Sequence, residues 1–358
     1  MNKKRVAIVG ATGMVGQRLL TLLEDHPYFD VSVLAASRSS AGKKYYDALA
    51  GRWKLPLQCP AYAKEAAVVD AGDISYIKSN ADIVFCAVNM PKNEIKALEQ
   101  AYAEADLPVI SNNSANRTVP DIPMIIPEIN PQHLSVIETQ KKRLGTKRGF
   151  IVTKPNCSIQ SYVPALTPLL DFGIKAVSVT TMQAISGAGR TFETFPEITD
   201  NVIPYINGEE EKSENEPLKI WGKVVDGKIV SADEPIISAQ CIRVPVSDGH
   251  LASVFVSFNN KPTADEILRR WQNFSSIPQQ LRLPHAPDRF VSYIDEPDRP
   301  QTRLDRDVYG GMGITVGRLR PDNIFDYKFV CLSHNTLRGA AGGGVLTAEL
   351  LYKLGYLD

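Results

Sequence analysis

The stretch Arg5-Val6-Ala7-Ile8-Val9-Gly10-Ala11-Thr12-Gly13-Met14-Val15-Gly16 runs from apolar, β-branched residues through three glycines into apolar residues at helical spacing. An extended run that turns on glycine into a helix is the opening of a βα unit. Glycines at that junction permit a tight turn and let backbone N–H groups approach an anion at the positive end of the helix. The spacing is GxxGxxG rather than GxGxxG, and glycine turns also serve packing alone. Its position at the first βα junction favours a dinucleotide pyrophosphate.

Working outward, the first 150 residues alternate short strands with helices. Arg5–Val9, Val31–Ala36, Ile83–Ala87 and Val109–Ser111 read as strands; Met14–Glu24 and Asn93–Glu104 read as helices, with apolar residues three and four apart. That alternation implies a doubly wound parallel sheet. After Lys154 the texture changes. Helix Ser158–Leu170 leads into longer runs at Ala176–Gln183, Ile242–Val246, Leu251–Phe258, Gly313–Leu319 and Phe325–Leu332. Fewer intervening helices suggest an α+β domain on a largely antiparallel or mixed sheet. Leu337–Leu354 reads as a final helix that returns to the first domain. The expected partition is therefore 1–154 plus 336–358 for the dinucleotide-binding domain and 155–335 for a catalytic and dimerisation domain. The acidic stretch Glu209–Glu216 reads as solvated.

The chain of 358 residues carries 40 basic and 40 acidic side chains, a formal net charge of zero. A nucleic-acid footprint normally leaves a basic excess, so that class is excluded. Nothing resembles a membrane span, and the apolar run before Gly10 is shorter than the roughly seven residues of a secretory segment. A cytoplasmic protein is expected. Five scattered cysteines without a CxxC pair argue against both a disulfide framework and a structural zinc site, and no metal is expected.

The segment Ala35-Ala36-Ser37-Arg38-Ser39-Ser40 identifies which dinucleotide. An NAD-selecting fold places Asp or Glu at the end of the second strand to hold the ribose 2′-hydroxyl. Here hydroxyls and the Arg38 guanidinium stand instead, which suits the 2′-phosphate of NADP.

Among the cysteines, Cys157 in Thr153-Lys154-Pro155-Asn156-Cys157-Ser158 lies between a strand end and a helix start. A helix N-terminus lowers a thiol pKa and can hold an oxyanion. Cys86 and Cys331 sit inside apolar runs and read as packed; Cys59 lacks an activator, and Cys241 is ambiguous. A thiolate nucleophile needs an acid–base partner, usually His. His26, His133 and His285 stand beside or near loop prolines and read as surface residues. His250 follows a glycine turn in Arg243-Val244-Pro245-Val246-Ser247-Asp248-Gly249-His250, which places it and Arg243 on adjoining strand ends.

GATGMVG at the start, PNCS around Cys157, QAISGAG at Gln183–Gly189 and RVPVSDGH at Arg243–His250 together resemble the aspartate-β-semialdehyde dehydrogenase family, over nearly the whole chain and closer to its archaeal and fungal branch. The resemblance implies Cys157 as the nucleophile that becomes an acyl-thioester, His250 as acid–base group and Gln183 as the residue orienting substrate. It implies Arg243 as the ligand of the substrate α-carboxylate, and Arg117 and Asn156 as phosphate contacts. A Glu-x-x-Lys element for substrate amine and phosphate matches Glu216 and Lys219, with Glu209–Lys212 as an alternative register; Pro217 departs from the pattern. On the cofactor side it implies NADP held by Gly10, Thr12, Gly13, Met14, Val15, Ser37, Arg38, Ser186, Gly187 and Asn335. The implied reaction is NADPH-dependent conversion of L-aspartyl 4-phosphate to L-aspartate 4-semialdehyde in aspartate-family amino-acid biosynthesis. Its partners are a small-molecule substrate and inorganic phosphate, in a homodimer or homotetramer. A CoA-thioester reductase such as malonyl-CoA reductase is the nearest alternative, N-acetyl-glutamyl-phosphate reductase a more distant one. A catalytically silent NADP-binding sensor is a third, although binding alone needs none of Cys157, Gln183, Arg243 and His250.

Overall fold

The first strands set the architecture because both of their faces are apolar. In β1 (Lys4–Val9), Val6 and Ile8 enter one buried layer while Ala7 and Val9 enter another. A strand apolar on both faces needs helices above and below it. In the computed structural model, which describes residues 3–358, β1 is joined by β2 (Phe29–Ala36), β3 (Val68–Asp70), β4 (Ile83–Cys86), β5 (Pro108–Ser111) and β6 (Phe150–Thr153). The six form a parallel sheet in the order β3-β2-β1-β4-β5-β6. Chain order reverses beside β1, and a doubly wound sheet offers its crevice for ligands at that point, beyond the carboxyl ends of the strands. Met1 and Asn2 lie outside the described residues.

Helix Met14–Leu22 covers the Val6–Ile8 face together with helix Ala341–Lys353. The latter is buried from Ala341 to Tyr352, with Leu346, Leu350 and Leu351 in the same core as Val6 and Ile8. Helix Lys92–Glu104 covers the opposite face through Tyr102 and Ala103.

The second sheet contains β7 (Ile174–Gln183), β10 (Ile236–Arg243), β11 (His250–Phe258), β12 (Val291–Ile294), β13 (Ile314–Pro321) and β14 (Tyr327–Ser333); β8 (Lys223–Val225) and β9 (Lys228–Val230) make a separate hairpin. Its order is β10-β7-β11-β14-β13-β12, with β10–β7 and β12–β13 parallel and the other pairs antiparallel. The sheet is mixed. Val177, Val179, Val254, Val256 and Phe329 turn one face to helix Ile159–Leu166, where Tyr162, Val163 and Leu166 meet them.

Two local readings need correction. The strand expected at Ile242–Val246 lies earlier, at Ile236–Arg243, because alternate exposed residues such as Ser238 and Gln240 disguise its apolar face. Pro245 lacks an N–H for the ladder, which suits the segment after Arg243 to a turn. The acidic stretch Glu209–Glu216 is not solvated throughout. It belongs to helix Glu209–Ile220, whose Glu209, Ser213 and Glu216 turn inward. Those three residues are spaced four and three apart, so they share a helix face.

Candidate active site

The carboxyl ends of the first sheet and one edge of the second enclose a cavity of about 690 Å³. Gly13, Ala87, Asn112 and Lys154, each just beyond a strand of the first sheet, line one wall. Gln183, Arg243 and Glu209 line the other, with Cys157 between.

The register of the second sheet explains how distant residues meet. Arg243 ends β10 opposite Gln183 at the end of β7, and Leu251 of β11 lies opposite Met182. His250 therefore stands across the ladder from Gln183, and directly opposed residues share a face. Cys157 Sγ lies 3.4 Å from His250 Nε2. The backbone N–H of Ala184 donates to His250 Nδ1 at 3.0 Å. An Nδ1 that accepts carries no proton, so the neutral imidazole keeps its proton on Nε2, facing the sulphur. Burial, and then the positive charge of Arg243, hold the imidazole well below its ordinary pKa.

The expected lowering of the Cys157 pKa does not emerge. Burial pushes the thiol up, as does the Glu209 carboxylate; Lys154, Arg117 and Arg243 pull it down without reversing the effect. Desolvation outweighs the helix end here. Both shifts favour the neutral forms, thiol and imidazole.

Arg243 donates to the carbonyl of Ala184 at 2.7 Å and has no acidic partner within ion-pair distance among the described residues. Glu209 accepts two bonds from Asn156 Nδ2 (2.9 and 3.0 Å), one from Gln183 Nε2 (3.3 Å) and one from Lys212 Nζ (2.8 Å). A guanidinium and a carboxylate thus face the same cavity without joining each other.

The Glu216–Lys219 register is placed elsewhere. Glu216 pairs with Arg117 at 2.8 Å and accepts the Asn156 N–H at 2.6 Å. Lys219 Nζ donates to the carbonyls of Arg117, Val119 and Ile122 at 2.6, 2.7 and 2.9 Å. An ammonium has three protons, so Lys219 has none left for phosphate. It clamps the loop that carries Arg117, and of the two registers it is Glu209 of Glu209–Lys212 that lines the cavity. Asn156 is likewise occupied: its amide holds Glu209, and its Oδ1 accepts from both the N–H and the hydroxyl of Ser158 at 2.7 Å. Arg117 lines the cavity although it is paired.

On the cofactor side, Gly13, Met14, Val15, Ser186, Gly187 and Asn335 line the cavity. Gly13 is the N-cap of helix Met14–Leu22 and supplies no side-chain cap, so the first amides of that helix remain free for an anion. Gly10 has φ +89°, and a Cβ there would meet the Ala87 carbonyl oxygen at 2.2 Å, which only glycine avoids. Thr12 lies outside the lining and uses its carbonyl to accept from Gln17. Asn335 donates to Ser186 Oγ and accepts from the Gly249 N–H, both at 2.8 Å, tying the Ser186 loop to the turn before His250. Ser37 and Arg38 are exposed at the end of β2, outside the cavity lining. The Arg38 side chain, 94% exposed, pairs with Asp70 at 3.0 Å. The glycine turn and the free helix amides fit a dinucleotide pyrophosphate.

Residues 5–137 match the family model described as semialdehyde dehydrogenase, NAD binding domain, and residues 166–338 match semialdehyde dehydrogenase, dimerisation domain. An aspartate-semialdehyde dehydrogenase from Archaeoglobus fulgidus is 45% identical over 97% of this chain and 98% of its own. The chain belongs to the aspartate-semialdehyde dehydrogenase family. A family member of that name from Schizosaccharomyces pombe is 42% identical over 99% of both chains. The crystal structure of the Candida albicans aspartate-semialdehyde dehydrogenase with NADP has a TM-score of 0.88 at 38% identity, covering 99% of this chain and all of that one.

Within that family fold, sequence reasoning missed Lys154 and Asn112, both in the cavity wall. Lys154 lies inside the quoted cysteine motif, but no sequence feature distinguishes a buried lysine from a solvated one. The expected surface histidines also differ: His133 is fully buried, and His26 is buried against Glu349, with Nε2 and carboxylate 2.9 Å apart. No helix among the described residues is long and apolar enough to cross a membrane.

Proposed function

We propose that this enzyme converts L-aspartyl 4-phosphate to L-aspartate 4-semialdehyde with NADPH, through a thioester on Cys157. The observation that carries the reading is the unjoined pair of Arg243 and Glu209 in the cavity that holds Cys157 and His250. A guanidinium takes an α-carboxylate in bidentate fashion and a carboxylate takes an α-ammonium, so the two recognise a zwitterionic amino acid. A malonyl group has no ammonium, and Glu209 would repel its carboxylate. An N-acetylated amine carries no charge for Glu209 to meet. Neither alternative offers a substrate cation to the Glu209 carboxylate in the cavity.

In this scheme Cys157 sulphur attacks the acyl carbon, and phosphate leaves toward Arg117. The dinucleotide, when bound, supplies the hydride that reduces the thioester. His250 Nε2–H donates a hydrogen bond to the carbonyl oxygen as that carbon becomes tetrahedral and anionic, and the charge passes to the sulphur when the adduct collapses to aldehyde and thiolate. Gln183, bonded to Glu209, holds the carboxylate that positions the substrate amine. We assign residues 1–154 and 336–358 to cofactor binding and 155–335 to catalysis and dimerisation. The deciding assay is NADPH oxidation with aspartyl phosphate against malonyl-CoA. Turnover with the first alone is expected; turnover with the second alone defeats the assignment.

We also propose that Arg38 and Ser37 hold the 2′-phosphate. Arg38 must leave Asp70 for it, and the Arg38→Ala variant leaves the Asp70 carboxylate unopposed beside that phosphate. NADP affinity should fall about ten- to hundredfold, one charge-assisted bond of roughly 1.5–3 kcal/mol. NAD affinity should change less than about twofold. Equal losses in a titration of both cofactors would defeat this assignment.

A further inference from the structure

Lys154 has no part in the scheme above, and its surroundings are unusual for a lysine. It follows β6, is 4% exposed and lines the cavity together with Cys157. Its Nζ donates to the neighbouring Pro155 carbonyl, its one hydrogen-bond partner among the described residues. The acid beside it, Glu216, is already matched by Arg117, and Glu209 in the same cavity is matched by Lys212. A buried ammonium without a counter-ion is costly unless an anion forms beside it. The candidate anion is the sulphur three residues along the chain.

We propose that Lys154 sets the ionisation of Cys157, its ammonium stabilising the thiolate that attacks the substrate. Lys154 is thus a positioning residue, acting through the sulphur, and the inference rests on the reading of Cys157 as nucleophile. His250 does not fill this role at rest. The Ala184 N–H on Nδ1 leaves the ring proton on Nε2, so the ring faces the sulphur as a donor rather than as a base. Turning the ring into an imidazolium would set an Nδ1–H against the Ala184 N–H. Lys154 meets no such obstacle.

Burial, and then the Arg117 charge, lower its ammonium to about 7, while Cys157 and Glu216 raise it and Arg338 lowers it. Near neutral pH the ammonium is still populated, and its charge pulls the thiol pKa down against the burial that pushes it up. Ionisation sends the thiol proton to the solvent that reaches half-buried Cys157.

The other charges facing the sulphur are Glu209 from helix Glu209–Ile220, Arg117 from the loop after β5 and Arg243 from β10. Glu209 opposes the thiolate. Arg117 is neutralised by Glu216, and in the proposed complex Arg243 is neutralised by the substrate carboxylate. Lys154 is the cation that remains. Because its titration and that of Cys157 are linked, the observed midpoint belongs to the pair.

The test is the pH dependence of Cys157 alkylation by iodoacetamide in the whole protein without substrate, read by peptide mass spectrometry. The other four cysteines are buried. Lys154→Met should raise the midpoint by about one pH unit or more and slow labelling at pH 7 about tenfold, because the thiolate fraction falls with the pKa. Lys154→Arg, which keeps a permanent charge, should leave the midpoint at or below that of the unaltered protein. A midpoint within about 0.3 unit of the unaltered one in a Lys154→Met protein that binds NADP overturns the proposal. So does a raised midpoint in folded Lys154→Arg, which keeps the test open if the Met variant does not fold. Labelling needs no turnover, so failure here is distinct from failure of the thioester reading, which turnover of a Cys157 variant decides.

Discussion

Cys157→Ala should lose turnover by about 10⁴-fold or more, while the NADP dissociation constant changes less than about twofold. Removing a covalent nucleophile removes the two-step route itself, and what remains is the contribution of binding and polar contacts around the substrate. The fold should tolerate the change. The sulphur is half-buried, its hydrogen-bond partner is His250, and its loss leaves the Glu209 and Arg117 networks intact. The backbone around it is closely fitted. A Cβ on Gly339 would come within 2.8 Å of Cys157 Cβ, so a smaller residue at 157 is accommodated where a larger one at 339 is not. Steady-state turnover and NADP titration of the same preparation check both halves. Residual activity within about tenfold of the unaltered enzyme, roughly 1.4 kcal/mol of barrier, would remove the thioester from the mechanism.

The fold was most legible where one periodicity governed a whole element. Val6, Ala7, Ile8 and Val9 are all buried, as a strand covered on both faces demands, and the glycines after them leave little choice about the turn. β10 was misplaced because half of its residues face outward and are polar, so the apolar signal shifted to Val244–Val246, where Pro245 breaks the ladder. Helix Glu209–Ile220 was misread for a related reason. Its charge density resembles a solvated face, yet Glu209 and Glu216 lie on one side of the helix, and each meets donors from the first half of the chain. Long-range partners of that kind leave no local trace. β3 and helix Ile74–Asn80, three and seven residues long, are too short to carry a periodicity of their own.

The site was legible as residue types, and less so as roles. Gln183, Arg243 and His250 meet because β7 and β10 end where antiparallel β11 begins, with Cys157 after β6 facing them, a fact of sheet order that no spacing along the chain contains. The direction of the Cys157 pKa was misjudged because helix position is visible in sequence and burial is not. Lys219 illustrates the same limit: only the three carbonyls around its ammonium reveal a structural clamp, and burial lowers it to about 8.

Arg117 should show two separable effects, because it lines the cavity and also neutralises a buried acid. Replacement by Leu leaves the Glu216 carboxylate buried without its guanidinium, and breaking a buried pair in this way costs about 3–5 kcal/mol of stability. Glu216 also holds the Asn156 N–H, so the strand-to-cysteine segment would loosen with it. Loss of activity in Arg117→Leu alone therefore says little about phosphate. Arg117→Lys is the informative change. It preserves a cation for Glu216 but lacks the guanidinium fork that can serve Glu216 and a phosphate oxygen at once. In the oxidative direction, from aspartate semialdehyde, phosphate attacks the acylated Cys157 and releases product. The apparent KM for inorganic phosphate should rise about tenfold in Arg117→Lys, the equivalent of roughly 1.4 kcal/mol, with NADP affinity and denaturant midpoint nearly unchanged. An unchanged phosphate KM in a folded Arg117→Lys protein would confine Arg117 to anchoring the loop after β5. If CoA rather than phosphate sustains aldehyde oxidation by the unaltered enzyme, the acyl-phosphate reading itself falls and a CoA-thioester reductase replaces it.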